Sequence, residues 1–206
     1  MKRFYNLAGI LSLSEEEKEL INRQAQEGDP VACFKQAEIY LHLHECEDYA
    51  TAAHDLLLKA SDGGVADADA AIAIMMFKGE IEPYDLTAAA RLLEKAINNG
   101  SELGISFQMR NLLYGRYGYK QNVDLVKQTL EQLPSQGEDP YWCALMGDVL
   151  MAENRVIESE QWYAKAVAGG DNSVYGDLAI ARGMDEDWNF RDYQAYNDTL
   201  MEGNDA

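Results

Sequence analysis

Apolar side chains recur three and four residues apart along most of this chain. Val31, Phe34, Ala37, Ile39 and Leu41 form one such set, and Ala52, Ala53, Leu56, Leu57 and Ala60 form the next. Residues so spaced share one face of a helix, and that face has to be covered by another. The polar residues between the sets are helix starts and stops. Ser14 opens the first predicted helix, and Glu17 three residues on completes a capping-box pattern. Glu15 and Glu16 suit the positive end of that helix, Leu20, Ile21 and Ala25 make its stripe, and Gly28 ends it at a left-handed position. Asp29-Pro30 starts a second helix, with proline in the first turn. After a turn around Glu45 to Asp48, a third runs from about Tyr49 to Ser61 and stops at Asp62-Gly63-Gly64.

This plan repeats. Ala68 to Phe77 is broken by Gly79, and Leu86 to Asn98 by Gly100. Leu103 to Leu113 and Val123 to Leu133 follow, separated by a loop with Gly115 and Gly118 and closed by Pro134 and Gly137. Asp139-Pro140 echoes Asp29-Pro30 and opens Tyr141 to Met151, which turns at Glu153-Asn154 into Ile157 to Ala168. A partial unit from Ser173 to Ala181 and a last helix, Phe190 to Met201, complete the reading. No stretch alternates as a strand does.

A lysine-alanine pair followed by glycine punctuates the pattern: Lys59-Ala60 to Gly64, Lys95-Ala96 to Gly100, and Lys165-Ala166 to Gly170. With Gly28 and Gly137 added, the glycines fall 33 to 37 residues apart. A period of that length is the mark of stacked helical hairpins. The expectation is an all-α solenoid of about four to five helix-turn-helix repeats with capping helices. It spans residues 1–206 as a single domain: an N-terminal capping helix at 1–28, repeats at 29–64, 65–100, 101–137 and 138–170, and a partial repeat with a C-terminal cap at 171–206.

The unit from Ala70 to Gly100 resembles the Sel-type (Sel-one-like) repeat, a relative of the tetratricopeptide repeat. Phe77, Gly79, Asp85, Ala89, Leu93, Lys95-Ala96 and Gly100 carry the likeness. Tyr40, Asp48, Ala52, Lys59-Ala60 and Gly64 match in the first unit. Tyr114, Gly118, Asp124 and Gly137 match in the third, where Gln132-Leu133-Pro134 replaces the lysine-alanine pair. Trp162, Lys165-Ala166 and Gly170 match in the fourth, where Glu158 replaces the aspartate. The resemblance implies a right-handed superhelix and a non-catalytic scaffold or adaptor for other proteins, often in bacterial processes. It also implies that the first helix of each pair lines a concave groove. On that implication Gln36, Tyr40, Lys78, Arg110, Tyr114 and Asp148 are candidate binding residues.

Composition narrows the partners. Thirty-six acidic against 17 basic residues give a net charge of −19, which opposes nucleic acid and anionic membranes. Against this background the segment 110–120 holds Arg110, Arg116 and Lys120 with Tyr114, Tyr117 and Tyr119, and no acid. Arginine and tyrosine are favoured at interface centres. The segment reads either as a docking site for an acidic or carboxylate-ended peptide or as a packing aromatic followed by a solvated loop.

Cys33, Cys46 and Cys143 are odd in number and follow no disulfide pattern. With the weak signal-peptide character of residues 4–13, they point to a cytoplasmic protein rather than a periplasmic one. No apolar run is long enough to cross a membrane. His42, His44 and Cys46 are the one tempting metal constellation, with His54 or Asp48 as further ligands, and give the alternative of a metal-dependent regulator or enzyme. His44 would leave the helix face shared by His42 and Cys46, so the expectation is no metal and no cofactor. No nucleophile elbow or phosphate loop is present, and no catalytic residue is assigned. Self-association is a third possibility.

Overall fold

In the computed structural model of the protein, residues 13–43, 47–82, 85–132, 140–169 and 174 are described. Among them lie nine α-helices and no strand. They are α1 (Glu15–Gln26), α2 (Pro30–Leu43), α3 (Glu47–Asp62), α4 (Ala66–Lys78), α5 (Leu86–Asn98), α6 (Glu102–Tyr114), α7 (Val123–Gln132), α8 (Pro140–Ala152) and α9 (Val156–Ala168). Apart from Val174, the predicted partial repeat and C-terminal cap fall outside the described residues, as does the stop at Pro134 and Gly137. The chain divides into two compact units, one of residues 1–111 and 115–119, the other of 112–114 and 120–206.

The helix ends form for local reasons. The Glu17 amide donates to Ser14 Oγ (3.3 Å) and the Ser14 amide to Glu17 Oε2 (2.7 Å), a complete capping box that holds the Glu17 carboxyl below its ordinary range. Asp29 Oδ1 accepts the Ala32 amide at 2.7 Å and starts α2. Asp85 Oδ1 takes the amides of Thr87 and Ala88 at 2.8 and 3.1 Å and starts α5. Gly28, Gly64 and Gly100 have φ of 89°, 85° and 86°, so the three period glycines among the described residues stand where the chain turns left-handed.

In the first unit α1 packs on α2, α2 on α3, α3 on α4 and α4 on α5. Helix α4 lies at the centre, with every residue from Ala68 to Phe77 buried. Apolar side chains all around a helix leave it no face for water. The core joins Cys33, Ala37, Ala53, Leu57, Ala60, Ala89, Leu93, Ala96 and Phe107 to it. In the second unit α7 packs on α8 and α8 on α9, around Cys143, Ala144, Tyr163, Ala166 and Val174.

Corresponding positions show how the pairs are fitted. Ala37, Ala73 and Gly147 each lie seven residues into the first helix of a pair, and Leu57, Leu93 and Tyr163 correspond in the second helix. The largest of the second set belongs to the pair with the smallest of the first. A β-carbon on Gly147 would stand 2.5 Å from Tyr163 Cε1, so the tyrosine ring packs directly against bare backbone. A second fitted pair sits where a first helix starts and its partner ends. A β-carbon on Gly63 would stand 2.2 Å from Pro30 Cγ, and one on Gly169 would stand 2.4 Å from Pro140 Cγ. The second repeat has Ala66 and Asn99 at these positions, without a proline and without that glycine.

Polar ties cross the repeat boundaries of the first unit. Ser61 at the end of α3 donates to Asp69 Oδ1 on α4 at 2.5 Å, and Lys95 on α5 reaches Asp69 Oδ2 at 2.8 Å. Asp69 is almost fully buried, so both partners compensate its desolvation. Asp67 accepts from Ser101 Oγ at 2.6 Å and from the Leu103 amide at 3.3 Å, while Ser101 Oγ accepts the Gly104 amide at 2.9 Å. The acid of one repeat thus completes the N-cap of the next. Cys33 and Cys143 correspond to Asp69 in the other pairs. In the fourth repeat the lysine of the motif, Lys165, instead lies 4.2 Å above the Trp162 ring.

Candidate functional site

The basic-aromatic segment of the sequence begins within α6 and continues into the turn that follows it. Gly115 (φ 64°) ends the helix in the left-handed conformation, as Gly79 (φ 69°) ends α4. The Arg116 amide returns to the Asn111 carbonyl at 3.1 Å. A tight turn follows, in which the Tyr119 amide donates to the Arg116 carbonyl at 3.0 Å. Its two central residues, Tyr117 (φ 51°) and Gly118 (φ 83°), both have positive φ, the pattern of a type I′ turn. Asparagine and glycine accept that backbone most easily, and a tyrosine there is strained.

The Tyr117 ring accounts for the choice. It lies 5.4 Å from the Phe77 ring and 5.8 Å from that of Phe107, which are themselves 5.4 Å apart. Phe77 and Phe107 are almost wholly buried, whereas Tyr117 is 39% exposed. One face of Tyr117 covers the two phenylalanines and part of the ring stays open to water. Next to it Tyr119 is half-buried. Burial pushes its phenol up, a hydrogen bond with Gln108 works in the other direction, and the Glu94 carboxylate adds to the rise. The segment is free of acids in sequence, yet Tyr119 feels the charge of Glu94 on α5.

The eight candidate residues fall into three groups. Gln36, Arg110 and Asp148 are buried, at 6%, 9% and 3% exposure. Gln36 Oε1 meets no donor among the described residues, and Asp148 Oδ1 accepts the Tyr163 hydroxyl at 2.8 Å within the second unit. These three are enclosed polar groups. Tyr40 is half-buried against the core, and Lys78 is partly buried with Glu80 Oε1 3.4 Å from its Nζ. Tyr114, Arg116 and Tyr117 are exposed. Tyr114 is not the packing aromatic of its repeat: Leu113, fully buried, stands where Phe77 stands in the repeat before.

The bed of Phe77 and Phe107 under Tyr117, and the influence of the Glu94 charge on Tyr119, escaped the sequence reading. They join helices ten or more residues apart in the chain and carry no local signal. The side chains of the expected metal constellation, His42, His44 and Cys46, and of its possible ligand Asp48, lie outside the described residues. Among the described residues no group of three or more histidine, cysteine, aspartate or glutamate side chains could hold a metal ion. Among them, too, no helix is long and apolar enough to cross a membrane.

The second unit carries a charge network in which Lys127 and Glu153 are half-buried and Arg155 and Glu158 exposed. Lys127 Nζ lies 2.7 and 3.0 Å from the two carboxylate oxygens of Glu153. Arg155 Nη1 reaches Glu153 Oε2 at 2.9 Å, and its Nε and Nη2 grip Glu158 in a fork. The hydrogen bonds from Lys127 and then Arg155 hold the Glu153 carboxyl below its ordinary range, and Arg155 does the same to Glu158. The network ties α7 to the turn between α8 and α9 and contains no unbalanced charge to attract a ligand.

No protein-family model and no curated protein matches the sequence. Two solved structures match the fold. One is a protective antigen present in uropathogenic Escherichia coli strains, displaying an SLR fold; it superposes over 81% of this chain at a TM-score of 0.52 and 20% identity, and the chain spans 37% of its length. The other is a Sel1 repeat protein from Oxalobacter formigenes, matched over 91% of this chain and 79% of its own, at a TM-score of 0.56 and 21% identity. Among the described residues, the nine helices, the left-handed Gly28, Gly64 and Gly100 and these two likenesses agree: the chain has the helical-repeat fold of the two Sel1-repeat (SLR) structures.

Proposed function

We propose that the protein is a non-catalytic interaction scaffold that binds a protein or peptide partner. The observation that carries this reading is the use to which the repeat-motif residues are put. Gly79 ends a helix, Asp85 caps one, Lys95 neutralises a buried carboxylate and Ala96 lies in the core. The signature encodes a stack of helices, and recognition is left to the residues that differ from repeat to repeat.

Among those, Tyr114, Arg116 and Tyr117 are the candidates best suited to a partner, since they combine exposure with the residue types that dominate interface energetics. The partner chemistry that suits them is an acidic or carboxylate-ended peptide. Gln36, Arg110 and Asp148 act on this reading through the packing that supports the surface, not through contact.

The test is affinity capture from extract of the native cells, comparing the wild-type protein with Tyr114→Ala and Arg116→Glu, singly and combined. Arg110 is unsuitable, because reversing a buried charge would report on folding. A hot-spot pair costs about 2 kcal/mol or more, or roughly thirtyfold in affinity. A captured protein lost from the double variant, with helical content unchanged, is the expected result. A partner that binds both forms equally overturns the placement of the surface. Failure of the wild-type protein to retain anything at micromolar concentration overturns the scaffold reading.

A further inference from the structure

We draw no further inference here: the strongest candidate, the half-open ring of Tyr117 at the turn after α6, belongs to the surface already described, is accounted for by the cover it gives Phe77 and Phe107, and has nothing in the structure to show what would seat on its open side.

Discussion

Adding one methyl group at Gly63 tests whether a proline ring sets the joint of the first helical pair. The new β-carbon would lie 2.2 Å from Pro30 Cγ and 2.3 Å from Pro30 Cβ. Carbon atoms rest about 3.5–4.0 Å apart, so both contacts overlap by more than about 1 Å. Neither atom is the end of a flexible chain, because the proline ring is fixed to the backbone. The strain has to be relieved by moving the start of α2 away from the end of α3. Overpacking of this kind costs about 1–3 kcal/mol. The φ of Gly63 lies outside the left-handed region, so alanine also restricts the unfolded chain and returns about 0.4–1 kcal/mol. Gly63→Ala is therefore expected to lose about 1–2 kcal/mol, a fall of about 2–8 °C in melting temperature for a chain of this size. The assay is a double-mutant cycle by urea unfolding, followed by far-UV circular dichroism. Pro30→Gly removes both clashing atoms, and in that background Gly63→Ala should cost at least about 1 kcal/mol less. An equal cost in both backgrounds would refute the argument. Gly169→Ala with Pro140→Ala repeats the test in the second unit, where the ring Cγ makes the closer contact, 2.4 Å against 3.0 Å for Cβ.

Four further outcomes follow from the same geometry. Tyr117→Ala and Tyr117→Gly both lose the ring over Phe77 and Phe107, but only alanine retains the cost of a positive φ; the glycine variant should be more stable by about 1 kcal/mol, measured by thermal melting. Asp67→Ala removes the acceptor for Ser101 and the Leu103 amide and should cost about 1–3 kcal/mol, with faster hydrogen exchange confined to the start of α6. Tyr163→Phe removes the hydroxyl that donates to buried Asp148 and should cost about 1 kcal/mol, with no change in the packing against Gly147 that near-UV circular dichroism reports. Glu153 has its carboxyl held below the ordinary range, so the stability it contributes is present above that range and is lost as pH falls through the folded value. The difference in stability between wild type and Lys127→Ala should accordingly be full at neutral pH and shrink in acid; a difference independent of pH would show that the contact is not electrostatic.

What could be read from the chain beforehand was whatever is decided locally. Ser14 with Glu17, Asp85, and the glycines at 28, 64 and 100 each act on amides or carbonyls within a few residues. Their roles follow from sequence, and the helix limits come out within a residue or two. The surface was less legible because its residues answer to distant neighbours. Arg110 looks like a surface cation in sequence, yet α6 lies deep enough to enclose it. Tyr114 and Gly118 resemble the aromatic and glycine of the repeat. The structure uses Leu113 and Gly115 in the places of Phe77 and Gly79, because the helix stops at the first glycine that can turn left-handed. Lys95 finds its partner Asp69 on the preceding helix, and neither residue announces the other. The charge of Glu94 likewise bears on Tyr119 only once α5 and the turn after α6 are folded together.

The hydrogen bonds from Ser101 and Leu103 to Asp67 have a bearing on how such a protein could be recombined. A module cut at the glycine boundary and grafted elsewhere would leave its opening helix without the acid that its donor neighbour used to supply. Asp67 and Ser101 stand at the starts of the first helices of consecutive hairpins, so chimeras that transfer both hairpins together should outperform those that transfer one. The natural unit of exchange at this joint is then a pair of adjoining hairpins, longer than the unit that the eye picks out of the sequence.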